Sequence, residues 1–209
     1  MKRTDPEVRK RCREIHGDEW FKENKKERQD AAIRYLTEHA KAQKDSDDSE
    51  IRTVVQKALS GHTISSIQKV HNTPMRACYD MLKRVLNGDA EYKYLFHGTT
   101  AETAQKIIAS GFNRSYCGRN GTVFGKGVYF ARDISYSLQP TYSPAAADGK
   151  KVVIVARVLV GKTMVGNGAI VEPAPGYDST VNCLNDPTIF VVYKDYQALP
   201  EYLLTFTTK

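Results

Sequence analysis

Few residues in this chain stand where they could do chemistry. Of five histidines, His16, His39, His62 and His71 follow no pattern. His97 differs: it ends the apolar run Tyr92 to Phe96 and is followed by Gly98, Thr99 and Thr100. A strand end that meets a helix start is a place where backbone and side-chain donors converge on a polar ligand. A second cluster is Gly125-Lys126-Gly127-Val128-Tyr129-Phe130-Ala131, followed by Ser135, Tyr136, Ser137 and Tyr142. Its alternating aromatics read as a buried strand, and its glycines as points of close backbone approach. Taken singly, each cluster also admits a purely structural reading.

Other motifs fail on inspection. Gly161-Lys162-Thr163 suggests a phosphate loop, but the glycine required five residues earlier is Ala156, inside a strand pattern. Gly125-Lys126-Gly127 and Gly166-Asn167-Gly168 lack the third glycine of a dinucleotide fingerprint, ending at Phe130 and Val171. Any dinucleotide site here is therefore not of the Rossmann kind. Cys12, Cys78, Cys117 and Cys183 form no CxxC pair, so neither a metal site nor a disulfide framework is expected.

Taken together, the two clusters resemble the signature of the poly(ADP-ribose) polymerase-like ADP-ribosyltransferases. That family carries H-G-[ST] on one strand, then G-K-G-[IV]-Y-F-A, then a serine eight residues beyond the tyrosine. Here His97 to Tyr129 spans 32 residues, and Ser137 lies eight after Tyr129. The tail from Asp178 to Phe206 is similar to the family's final strands, and its PEYLLTF ending is similar to the mono-ADP-ribosyltransferase branch. The likeness runs from about Ile64 onward.

The resemblance implies an NAD pocket, with NAD as substrate and no metal. His97 would hydrogen-bond the adenosine ribose, and Gly98 and Ser137 would hold the nicotinamide carboxamide. Tyr129 would line the nicotinamide side, and Tyr142 would stack on the ring. Thr99, Asn113, Arg114 and Tyr116 would be further NAD contacts, the arginine by charge-assisted hydrogen bonds, as would Arg119 in the same loop. Polymerising members carry a catalytic glutamate where this chain has Ile189. Isoleucine can neither accept a proton nor hydrogen-bond a hydroxyl. The implied triad of His97, Tyr129 and Ile189 is that of a mono-transferase, moving one ADP-ribose to a protein side chain or to the chain itself. Two other possibilities stay open: a non-catalytic NAD or ADP-ribose binding module, and nucleic-acid ends as acceptor. Glu201, before the last strand, reads as a surface residue.

The elements that must position these residues follow from periodicity and turn chemistry. Ile51 to Leu59 and Thr63 to Val70 are strand candidates separated by Ser60-Gly61. Asn72-Thr73-Pro74 opens a helix whose stripe is Met75, Cys78, Tyr79, Leu82 and Leu86, closed by Asn87-Gly88. A strand over Tyr92 to Phe96 leads to His97. Thr99 to Glu102 fits a capping box for a helix that stops at Gly111. Strands at Gly127–Ala131, Val152–Val160, Ala169–Glu172, Ile189–Tyr193 and Tyr202–Phe206 follow, with a helical turn near Asp133 to Leu138. Many strands around few short helices argue an α+β class. The resemblance makes it the ADP-ribosyltransferase fold: two packed, largely antiparallel sheets with short helices.

The whole chain is consistent with this. Its 209 residues, 41% hydrophobic, can bury a core. Residues 1–50 hold 13 basic and 13 acidic side chains, so the net charge of +7 lies entirely in residues 51–209. Scattered basic residues suit an anionic ligand without requiring nucleic acid. Residues 1–50 read as a helical extension, starting near Glu19 with Asp18 as cap and ending in an acidic linker. Residues 51–209 read as the catalytic domain. No apolar run is long enough for a membrane span, and no secretory signal opens the chain. An intracellular protein without a membrane partner is expected.

Overall fold

A computed structural model describes residues 49–86, 91–116 and 121–208 of the chain. The expected helix near Glu19, the Asn87-Gly88 stop and Arg119 lie outside these residues. The chain divides into a unit of residues 1–55 and a unit of residues 56–209.

The first described element corrects an expectation. Residues 49–58 form a helix, α1, and not a strand. The β-branched run Thr53 to Val55 favours a strand, but Ile51, Val55 and Leu59 recur at four-residue spacing, which is a helical stripe. Thr53 Oγ1 donates back to Ser49 O at 3.1 Å, a bond available only to a helix turn.

The larger unit is built on strands β1 (His62–Lys69), β2 (Glu91–Thr99), β3 (Val128–Ala131), β4 (Lys150–Leu159), β5 (Thr163–Val165), β6 (Ser179–Val181), β7 (Ile189–Val192) and β8 (Ala198–Thr208). Their order is β1-β8-β4-β2-β3-β7-β6-β5, antiparallel except for the β5–β6 pair. The two expected sheets are thus one ladder with a seam. Among the described residues β2 and β3 share a single pair, Phe96 with Ala131. Apolar side chains from both sides of the seam, Leu95 and Ile154 with Phe130 and Phe190, share one core.

Helix α2 (Thr73–Val85) begins as its residues dictate: Asn72 Oδ1 accepts from Met75 N, and Pro74 needs no donor in the first turn. It buries Met75 and Tyr79 against Leu159 and Leu199. Helix α3 (Ala101–Ser110) is capped by Thr100, which accepts from Thr103 N, and ends at Gly111 with φ of 88°. The cap is one residue later than the Thr99–Glu102 box, because Thr99 is still paired to Val152 in the sheet. Helix α4 (Ile134–Ser137) is a single turn.

Residues 169–172 are not a strand. Asn167 Oδ1 accepts from Ala169 N and its carbonyl from Ile170 N, so an Asx turn uses the donors a ladder would need. β8 runs four residues longer at its start than Tyr202 suggested. The β4–β8 register passes from Val155–Tyr202 to Ala156–Pro200, skipping Glu201, and a bulge tolerates the proline.

Candidate active site

The site forms where the seam opens. Beyond the Phe96–Ala131 pair the strands part, and the His97 side chain spans the gap: Nδ1 lies 2.8 Å from Tyr129 O. A carbonyl oxygen only accepts, so in the neutral ring Nδ1 carries the hydrogen and Nε2 presents its lone pair. Burial holds the imidazole below its ordinary pKa, against the opposing effect of the Tyr129 carbonyl, which keeps the ring neutral at physiological pH. Phe112 and Phe130 fix the ring plane, with centroids 5.3 and 5.6 Å away.

Gly98 follows on β2, and α4 lies directly against it. A Cβ there would collide with the Ser137 carbonyl and come within 2.9 Å of Tyr142 Cβ. Ser137 is buried, and its hydroxyl donates to Phe96 O at 3.1 Å. Tyr142 stacks on Tyr136 at a centroid distance of 4.9 Å, their hydroxyls 2.8 Å apart. Partial burial and that bond push the Tyr136 phenol up to about 12. Tyr129 points its hydroxyl along its own strand's entry loop, donating to Gly125 O and accepting from Phe124 N.

These residues surround one cavity of about 500 Å³, a volume typical of ligand sites. His97, Gly98, Thr99, Asn113, Tyr116, Tyr129, Ser137, Tyr142 and Ile189 all line it. Ile189 is buried at the start of β7, opposite Ala131, with its backbone held by Asn182. Among the described residues the lining carries no Asp or Glu, and its one lysine, Lys106, is paired with Glu102 at 2.7 Å.

Two residues sit elsewhere than expected. Arg114 does not line the cavity: its guanidinium is turned to the carbonyls of Lys126, Val171 and Tyr193. Three carbonyls take the donors that were expected to meet a pyrophosphate. Glu201 is not a surface residue: its side chain is 6% exposed, 2.6 Å from Arg76 and 3.0 Å from Arg157. Two cations on neighbouring elements draw it inward at the β8 bulge.

The sequence reading missed Phe112, Thr103, Lys106, Thr141 and, as a cavity residue, Tyr136. Helical spacing was the available signal for some: Thr103, Lys106 and Ile107 share the face of α3 that starts beside His97. Phe112, just past the Gly111 stop, gave no sign of reaching His97.

A family model of the poly(ADP-ribose) polymerase catalytic domain matches residues 46–182. The chain is 37% identical over 174 residues to the protein mono-ADP-ribosyltransferase PARP14 of Homo sapiens, an alignment covering 76% of this chain and 10% of the relative. It is 48% identical over 118 residues to the protein mono-ADP-ribosyltransferase PARP10 of Mus musculus, covering 53% and 12%. With the protein mono-ADP-ribosyltransferase PARP12 of Mus musculus it shares 35% over 167 residues, covering 74% and 23%. The chain thus spans between a tenth and a quarter of the length of these relatives.

Proposed function

Because this chain belongs to the poly(ADP-ribose) polymerase catalytic-domain family, we propose that it transfers a single ADP-ribose unit from NAD to an acceptor and releases nicotinamide. The observation that carries this reading is the convergence of His97, Gly98, Tyr129, Ser137 and Tyr142 on one cavity whose lining also includes Ile189.

Each residue has a task its chemistry suits. The Gly98 backbone and the Ser137 hydroxyl hold the nicotinamide carboxamide. Tyr142 covers the ring, with Tyr129 on the nicotinamide side; aromatic stacking contributes roughly 0.5–1.5 kcal/mol beyond area burial. His97 accepts a ribose hydroxyl of the adenosine half through Nε2, and Thr99, Asn113 and Tyr116 border that half. Held at both ends, NAD has its reactive ribosyl carbon fixed in place. The bond from that carbon to the nicotinamide nitrogen breaks, and its electron pair leaves with the ring, which becomes neutral. The carbon, left cationic, takes an electron pair from the acceptor.

Among the described residues the lining carries no carboxylate to deprotonate an acceptor, and His97 is engaged with the adenosine ribose. An aspartate or glutamate side chain, already ionised, is therefore the acceptor this site suits best. The free thiols of Cys78 and Cys183 are compatible with an intracellular, reducing compartment.

Incubation with NAD followed by mass spectrometry of the protein is the direct test. Release of nicotinamide, with adducts of one ADP-ribosyl unit on an acidic side chain, is the expected result. Bound NAD that is never cleaved would make the chain a binding module instead.

A further inference from the structure

We infer that Arg114 is a positioning residue that braces the wall of the cavity and does not itself hold the dinucleotide. Its consequence for NAD affinity rests on the proposed transferase reading; its consequence for the wall does not.

Arg114 opens the short 3₁₀ turn Arg114–Tyr116 after α3. Asn113 Oδ1 accepts from Ser115 N at 2.8 Å, which sets the turn and sends the Arg114 side chain away from the cavity-lining neighbours Asn113 and Tyr116. The guanidinium then meets three segments distant in sequence. Nη2 donates to Val171 O at 2.7 Å, Nε to Lys126 O at 3.3 Å and Nη1 to Tyr193 O at 3.4 Å. Its carbon sits 5.9 Å from the centroid of the Tyr193 ring.

The far end of this brace is also tied down. Lys126 lies between Phe124 and Gly127, both cavity-lining. Phe124 N donates to Tyr129 Oη, and Phe124 O accepts from Thr180 Oγ1 at 2.7 Å and from Tyr193 Oη at 3.4 Å. Thr180 and Tyr193 hydroxyls lie 2.7 Å apart, and Lys126 N donates to Ile170 O. Arg114 therefore joins the start of the cavity wall, at Asn113 and Tyr116, to its end at Phe124 to Tyr129. Both ends meet at Tyr193, the residue after β7, and the far end also reaches Thr180 on β6.

Three carbonyls from three segments call for a planar, multi-donor fork. Arginine supplies five N–H donors in fixed geometry; lysine supplies one point of charge. The two readings of Arg114 thus diverge on one substitution. A residue that neutralised a phosphate would be largely replaced by lysine. A brace would not.

The test uses the full chain with Arg114→Lys and Arg114→Gln. Hydrogen exchange read by mass spectrometry over residues 121–127 is expected to quicken by about ten-fold or more in both variants, with the β4 peptide unchanged, because local opening is set by local contacts. KM for NAD is expected to rise about ten-fold in both while kcat stays within about three-fold, the pattern of a binding wall that no longer holds its shape. Unchanged exchange in residues 121–127 would overturn the inference. So would a wild-type KM in the lysine variant beside a raised one in the glutamine variant. Should either variant fail to fold, Asn113→Ala removes the acceptor that sets the Arg114 turn and is expected to quicken exchange in the same peptide; no change there overturns the brace. A wild-type protein that never cleaves NAD would sink the transferase reading and leave the exchange result to decide this one.

Discussion

His97 does three things with one ring. Its Nδ1–H bridges the seam to Tyr129, its plane is set by Phe112 and Phe130, and its Nε2 is left to face the cavity. His97→Ala removes the bridge and the acceptor together. Nicotinamide release is expected to fall by at least about 100-fold, since a misplaced dinucleotide forfeits orientation; a variant with wild-type turnover would refute the assignment. The ring also makes folding sensitive to pH. Its folded pKa lies below the ordinary value of 6.5, so in acid the unfolded chain takes up a proton that the half-buried ring resists. Its contribution to stability is complete above 6.5 and is lost as pH falls through the folded value. Urea midpoints at pH 7.5 and 5.5 should separate more in the wild type than in His97→Gln. Gly98 is constrained by space, not by φ: Gly98→Ala would drive a methyl into the Ser137 carbonyl. That change is expected to abolish nicotinamide release by pushing α4 off the strand, with loss of NAD-dependent thermal stabilisation as the check.

Among the elements, α2 is held to the sheet by charge as well as by Met75 and Tyr79. Glu201 at the β8 bulge takes Arg157 from β4 and Arg76 from α2, while Glu91 at the start of β2 takes Lys83 and the Tyr79 hydroxyl. Burial works against the charge on Arg157, and Glu201 and Glu91 more than offset it, so its pKa ends above the ordinary value. Removing one partner of such a group strands the other. Glu201→Ala is expected to cost about 3 kcal/mol in urea denaturation near pH 7, within the range for broken buried pairs. A loss below about 0.5 kcal/mol would mean that the cluster behaves like a surface pair. The same geometry removes Glu201 from consideration as a catalytic base, because its carboxylate is engaged by two arginines and does not line the cavity.

For the molecule as a whole, the product should be single ADP-ribose units. Chain growth needs a hydroxyl deprotonated as it attacks, and such a hydroxyl needs a positioned base. Ile189 offers none, and the described lining carries no other carboxylate. Denaturing gels with labelled NAD should give discrete bands; a ladder of lengths would refute the role given to Ile189. Ile189→Glu alone is not expected to create a polymerase, because a growing chain also needs a surface to bind. The division between extension and catalytic domain has its own test. A protein beginning at Asp48 keeps α1 and nearly all of the family-matched span, and is expected to fold and bind NAD. Insolubility, or no NAD-dependent rise in Tm, would move that boundary toward the N-terminus.

Much of this was legible in the residues, because local chemistry and short spacings determine it. The α2 stripe, the Gly111 stop and the strands β1, β2, β4 and β7 follow from periodicity and turn residues. His97, Tyr129 and Ser137 were linked only by the resemblance of their spacing to the family signature. Other features depended on what lies far away in sequence. The β-branched run Thr53 to Val55 hid a helix, since propensity and stripe disagreed there. The three-residue strands β5 and β6 are too short to show a period, and each exists only through its neighbour. Glu201 looked solvated because its partners, Arg76 and Arg157, are 125 and 44 residues away. Arg114 looked like a ligand contact because charge is visible in a sequence, whereas the three carbonyls that claim it are brought together only by the fold. A residue type states what a side chain can do; the packing of distant segments decides which partner it meets.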